Sequence, residues 1–179
     1  MKILILGLGN EFFGDDGIGI CAVRALAPEI KSQVDIVESS LHGVALIDLL
    51  AGYDRVIIVD AIQTGSHPAG TLIELDASEL RPVSCPSPHY AGLPEMIQIA
   101  RELDLEFPVR IKILAVEINT PFTFGSVISS AILSTVKKIN ERVVDQLMAW
   151  DRESPISACS RYLKQSCSAK ENDYANGHF

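Results

Sequence analysis

GNEFFGDDGIG, residues 9–19, decides how this chain is read. The apolar run MKILILGL (1–8) leads into it, and Ile18, Cys21, Ala22, Ala25 and Leu26 follow at helical spacing. An almost continuous apolar run suits a strand buried on both faces. The segment is therefore the turn from a first strand into a first helix, where an open α/β protein keeps its ligand loop. A phosphate loop at that place needs glycines and the bare positive end of the helix. Gly7 and Gly9 supply the first two glycines of G-x-G-x-x-G, and Glu38 stands where a ribose-binding acid belongs. The third glycine position, however, holds Phe12, and Asp15 and Asp16 place negative charge at the helix start. At about 4 Å and an effective dielectric of about 20, each like-charge contact with a phosphate costs on the order of 4 kcal/mol before screening. A metal cation would gain what a phosphate loses, so no nucleotide cofactor is expected and a nucleotide-binding oxidoreductase is the weaker alternative. Helix capping accounts for one Asp. Two in succession, flanked by Gly14 and Gly17, exceed what a cap requires.

Outward from this turn the pattern is β-α-β-α-β. Val34–Val37 reads as a second strand closing on Glu38, His42–Ala51 as a mostly buried helix, and Arg55–Asp60 (RVIIVD) as a third strand from the centre of a parallel sheet. Right-handed crossovers then build a doubly wound sheet. Residues 63–70 (QTGSHPAG) are turn chemistry with no room for a helix, and a parallel crossover takes about a dozen residues or more. Thr71–Leu75 is accordingly expected as an antiparallel edge strand. A proline-rich loop (RPVSCPSPH, 81–89), a helix over Pro94–Leu103 and a fifth strand over Val109–Ile118 follow. Pro121–Gly125 breaks the chain, and Ser126 is positioned to cap a last helix. On that helix Ile128, Ile132, Val136, Ile139, Val143, Leu147 and Trp150 step by three or four along one face. Residues 1–151 read as a single α/β domain and 152–179 as a polar tail, expected to be poorly ordered or loosely docked.

Composition sets limits. The chain has 179 residues, 47% of them apolar, enough for one domain with a core needing no disulfide or metal. No run of about 18 apolar residues offers a membrane span, and the N-terminal run lacks a cleavage pattern, so it reads as a buried strand. A net charge of −8 argues against nucleic acid and anionic lipid as partners. Cys21, Cys85, Cys159 and Cys167 match no zinc or redox spacing; Cys21 reads as a small core residue. Reduced thiols and a cytoplasmic location are the expectation.

Three residues form the candidate site. Asp16 follows the first strand, Asp60 ends the third, and His89 sits in the Ser87-Pro88-His89 loop. Ligands in open α/β sheets bind at the carboxyl ends of the strands, where strand order reverses. Two carboxylates and one imidazole with open positions suit Ni²⁺, Zn²⁺ or Fe²⁺. Serine hydrolysis is disfavoured, because no G-x-S-x-G elbow exists and Ser39-Ser40-Leu41-His42 reads as a polar loop. His67 and His178 are expected to be exposed.

These residues resemble the hydrogenase maturation endopeptidases, which process the large subunit of nickel–iron hydrogenases. GLGNEFFGDDGIG is similar to that family's N-terminal signature, with Asp16 at its first metal-binding acid. IIVDAI resembles the second motif, with Asp60 at the second acid, and Ser87-Pro88-His89 followed by Gly92-Leu93 resembles the histidine loop. Three motifs in order over roughly residues 1–150 are more specific than any one alone. Departures exist. Glu38-Ser39-Ser40-Leu41-His42-Gly43 stands where relatives often carry an Asp-Gly-Gly-Thr-like turn, and many relatives carry Glu at the position of Asp16. The resemblance implies a three-layer α/β/α sandwich (phosphorylase/hydrolase-like) around a five-stranded mixed sheet with one antiparallel strand. It implies an aspartate-containing, nickel-dependent peptidase with Asp16 and Asp60 catalytic and Asp16, Asp60 and His89 binding metal. The partner would be the hydrogenase large-subunit precursor, cut near its C-terminus after nickel insertion, with the nickel carried by the substrate. Asp15 is assigned to the helix start, with a supporting contact to the ligands as a further role. A non-catalytic chaperone of the immature subunit would use the same acids.

Overall fold

The apolar runs assigned to the sheet centre do occupy it. The computed structural model describes residues 1–79, 93–119 and 124–153. Its strands are β1 (Ile3–Leu8), β2 (Asp35–Ser39), β3 (Arg55–Ile62), β4 (Leu72–Asp76) and β5 (Arg110–Glu117), in spatial order β2-β1-β3-β5-β4. β1 pairs in parallel with β2 and β3, and β3 in parallel with β5. β4 alone is antiparallel, with Leu72 opposite Val116 and Asp76 opposite Lys112, and forms one edge. The short turn after β3 allows no other direction.

Side-chain alternation sorts the sheet into two apolar faces. Ile5, Ile57, Val59, Leu114 and Val116 meet Ile18 and Val23 of α1 (Ile18–Arg24). The same face receives Ile30 of α2 (Pro28–Lys31). Leu4, Leu6, Ile58 and Ile113 face the other way, toward Leu46 and toward Leu50 of α3 (Ile47–Leu50). Leu93 and Met96 of α4 (Leu93–Glu102) complete that second core. The first face is closed by α5 (Ser130–Leu133) and α6 (Val136–Glu153), which bury Ile132, Ile139, Val143, Leu147 and Trp150. The result is the three-layer α/β/α arrangement. Full burial of each such side chain is worth about 1.5–3 kcal/mol. At the start of β3, Arg55 lies 5.5 Å over the Trp150 ring and donates to the Trp150 carbonyl at 3.1 Å, which pins the end of α6.

Several local expectations change. The last helix is two helices, because Thr135 is buried and its hydroxyl donates to the Ile132 carbonyl at 2.6 Å, closing α5 before α6 begins. Ser129, not Ser126, caps α5. Ser126 instead pairs with Phe13 in an isolated parallel bridge. The stretch 42–51 is a 3-10 turn (Gly43–Leu46) running into α3, and only Leu46 and Leu50 of it are fully buried. β2 continues through Glu38 to Ser39, and β3 runs two residues past Asp60. α6 runs to Glu153, where the described residues stop, so the expected tail lies almost wholly outside them. No described helix is long and apolar enough to cross a membrane.

Candidate active site at the carboxyl edge of the sheet

Asp15 and Asp16 lie in a buried 3-10 turn, Gly14–Gly17, ahead of α1. That turn runs directly into α1, whose N-cap position is Gly17, so both acids stand at the start of the helical segment. Gly9 has a φ of 139°, and a β-carbon on it would overlap the Asp16 carbonyl oxygen. Only glycine lets the loop fold back this tightly. In return Asp16 Oδ2 accepts the Asn10 N–H at 2.7 Å, while Asn10 Oδ1 accepts the Phe12 N–H at 3.0 Å. The acid is thus held by the loop that precedes it.

Asp15 reaches across the sequence. Its Oδ1 accepts the Ser129 N–H at 2.6 Å, and the Ser129 hydroxyl donates to Oδ2 at 3.2 Å. The carboxylate therefore ties the site loop to the start of α5. Asp15→Ala removes the charged acceptor of both part-buried hydrogen bonds and is expected to lower the unfolding free energy by about 2 kcal/mol, read by urea denaturation.

Asp60 stands in β3 opposite Ala115 of β5 and is fully buried. The sequence places it at the rim; it actually lies one layer in, because β3 pairs with β5 through Ile62. By alternation it shares the face of Val56, Ile58 and Ile62, the side of α3 and α4. The turn carrying Asp16 packs against β3. A β-carbon on Gly19 would overlap the carbonyl oxygens of both Leu8 and Val59, so the first turn of α1 rests on the ends of β1 and β3. The turn carrying Asp16 and the strand carrying Asp60 therefore pack together toward one edge of the sheet. β1 crosses to β2 by α1 on one face, and β2 crosses to β3 by α3 on the other, so this edge is the topological switch point. His89 lies outside the described residues. Among the described residues no three His, Cys, Asp or Glu side chains are grouped to hold a metal.

Sequence reasoning missed Glu117. It is fully buried at the end of β5, opposite Ile62. Its carboxylate accepts the Thr64 N–H at 2.8 Å, the Thr64 hydroxyl at 2.6 Å and the Gly65 N–H at 2.8 Å, fixing the turn after β3. The signal was an acid inside an apolar central strand, which must find donors when buried. Burial alone pushes this carboxyl up. The Thr64 and Gly65 donors, with the charge of His67, outweigh it and hold the group below the usual carboxylate range. A depressed folded pKa stabilises the fold above the unfolded value of about 4.3, and that contribution is lost as pH falls through the folded pKa. Glu117→Gln is expected to flatten the acid limb of stability between about pH 4 and the onset of acid unfolding. Thermal melts of both forms across that range check this.

The remaining candidates separate. Glu38 is engaged by Arg24, whose Nε donates to its two carboxylate oxygens at 3.0 and 2.9 Å, and Arg24 also grips Glu11. The Leu41 N–H donates at 3.0 Å to the hydroxyl of Ser39, the last residue of β2, and His42 and His67 are exposed. Cys21 is half-buried, not core, and burial pushes its thiol up. Cys85, Cys159, Cys167 and His178 lie outside the described residues.

A family model for hydrogenase maturation proteases (HycI) matches residues 21–146. The chain belongs to the hydrogenase maturation protease family. The match includes Asp60 and begins five residues after Asp16. Among maturation proteases, the chain is 30% identical over 165 residues to the Hydrogenase 2 maturation protease of Escherichia coli, covering 90% of this chain and 97% of that one. It is 27% identical over 154 residues to the hydrogenase expression/formation protein HupD of Rhizobium leguminosarum, covering 83% and 75%. Of solved structures, the maturating endopeptidase HybD from Escherichia coli superposes with a TM-score of 0.69 at 27% identity, over 83% of this chain and 93% of that one. HybD from Thermococcus kodakarensis shares the fold, with a TM-score of 0.61 at 22% identity.

Proposed function

We propose that this maturation protease removes a short C-terminal extension from the precursor of a nickel–iron hydrogenase large subunit after nickel insertion, recognising the nickel carried by the substrate through Asp16, Asp60 and His89. The observation that carries the reading is a fully buried Asp60 on the strand against which the Asp16 turn packs, at the switch point of the sheet, in a chain of this family. Two carboxylates on segments that pack together at such an edge suit a divalent cation as partner. The chain after α4 returns to the amino edge of the sheet, where the Gly52 N–H meets Glu106 and the Val109 N–H meets Asp54. α4 also packs on the Gly43–Leu46 turn that follows β2. His89 precedes Leu93 by four residues.

In this reading the substrate's nickel polarises the scissile carbonyl. One carboxylate takes a proton from the attacking water. The water oxygen bonds to the carbonyl carbon, the C–N bond breaks, and the proton passes to the leaving amine. Incubation with nickel-loaded and nickel-free precursor, followed by mass spectrometry, tests this. Loss of the extension from the loaded form only is the expected result. Binding without shortening would indicate a chaperone. Cleavage of nickel-free precursor would overturn nickel recognition.

A further inference from the structure

The loop that holds Asp16 also displays aromatic surface that no part of the mechanism uses. Phe12 is 64% exposed and Phe124 75% exposed. Their rings stack at 5.8 Å with an interplanar angle of 15°, and Phe13 meets Phe124 edge-on at 6.0 Å. Val127, 86% exposed, lies three residues further along the chain from Phe124. The group is built rigidly. The Gly125 N–H donates to the Phe12 carbonyl at 2.7 Å, and Phe13 and Ser126 pair as a bridge. A preorganised aromatic surface loses little conformational freedom on binding. The one acid beside Phe12 in the loop, Glu11, is paired with Arg24, so the surface offers apolar contact and not a bare charge.

We infer that Phe12 and Phe124 form the docking surface for an apolar stretch of the precursor polypeptide flanking the scissile bond. This rests on the proposed function, and what points to the occupant is continuity: Phe12 is four residues from Asp16, and Asn10 hydrogen-bonds with both residues. A protease that cuts one bond must hold the chain beside it as well as the bond itself. An apolar segment laid on the stacked rings would be positioned by the same loop that positions the acid.

The experiment measures two quantities: the rate of peptide release from nickel-loaded precursor, and equilibrium affinity for nickel-free precursor, which the proposed function leaves uncut. The double variant F12A/F124A is expected to weaken affinity and raise KM by about ten- to a hundredfold, with kcat within about twofold. Val109→Ser, which alters an 80% exposed apolar residue at the opposite edge of the sheet, should change neither. A photo-crosslinking amino acid placed at position 12 should join the precursor near its C-terminus, which keeps the test open if the double variant folds poorly. Undiminished affinity in a folded double variant, or a crosslink only to a second copy of this chain, overturns the docking surface while unaltered cleavage by the parent leaves the proposed function standing. If the parent neither binds nor cuts precursor, both fall.

Discussion

Asp60→Asn is expected to slow release of the precursor's C-terminal peptide on the order of a thousandfold while leaving the protein folded, and Asp16→Asn to do the same. The side chains differ by one atom type, and the β3–β5 pairing that carries Asp60 is made by backbone. Asn keeps the shape and loses the charge that a cation partner and a proton-accepting role both need. Thermal midpoints within a few degrees of the parent, beside a lost mass shift, are the expected pair of readings. Asp15→Ala reverses that order. Its carboxylate holds Ser129, so it is expected to cost stability first. If both Asp16→Asn and Asp60→Asn cut nickel-loaded precursor at the parent rate, the acids are not the working groups.

The largest effect on folding is expected at Gly19. An added methyl would overlap backbone carbonyl oxygens from β1 and β3 at once, Leu8 and Val59, and neither can move without shifting the sheet. Gly7 faces the same contact from the strand side, where an added β-carbon would meet the Gly19 carbonyl oxygen at 2.7 Å. Overpacking into fixed backbone costs typically about 1–3 kcal/mol, occasionally more; with two immovable neighbours, Gly19→Ala is expected at about 3–5 kcal/mol. That is a large part of the roughly 5–15 kcal/mol that holds a domain together. Urea denaturation should show the midpoint fall steeply with little change in slope. A midpoint within about 0.2 M of the parent would mean that α1 can lift from the sheet, and the tight seating of the Asp16 turn would be wrong. Because that helix start also carries the site loop, any Gly19→Ala protein that survives should cut poorly.

Much of the fold was readable from composition along the chain. β1, β3 and β5 are buried on both faces, so their apolar runs are continuous and stand out from everything else. The direction of β4 followed from the shortness of the turn before it, a matter of chain reach alone. Helix ends were less readable. Ser126 and Ser129 are equally good caps by residue type, and the choice fell to Ser129 because the backbone of Ser126 was taken by Phe13, 113 residues away. The break at Thr135 is likewise hidden in an unbroken apolar spacing, since it comes from one hydroxyl bonding back to Ile132.

For the site, residue type and motif order singled out Asp16 and Asp60 but said nothing of depth. A strand written RVIIVD reads as stopping at its acid only because a charge ordinarily marks the surface; the pairing with β5 carried it inside. The anchoring of Asp15 by Ser129, the Glu117 clamp on Thr64 and Gly65, and the Phe12–Phe124 stack join positions tens of residues apart. Local sequence, through apolar period and turn length, determined which segments became strands, how they ran and which connections could meet at the switch point. Which polar groups were buried, and what they hold, was decided only by tertiary contact, because a carboxylate's partner depends on where the folded backbone brings a donor and not on its neighbours in the chain.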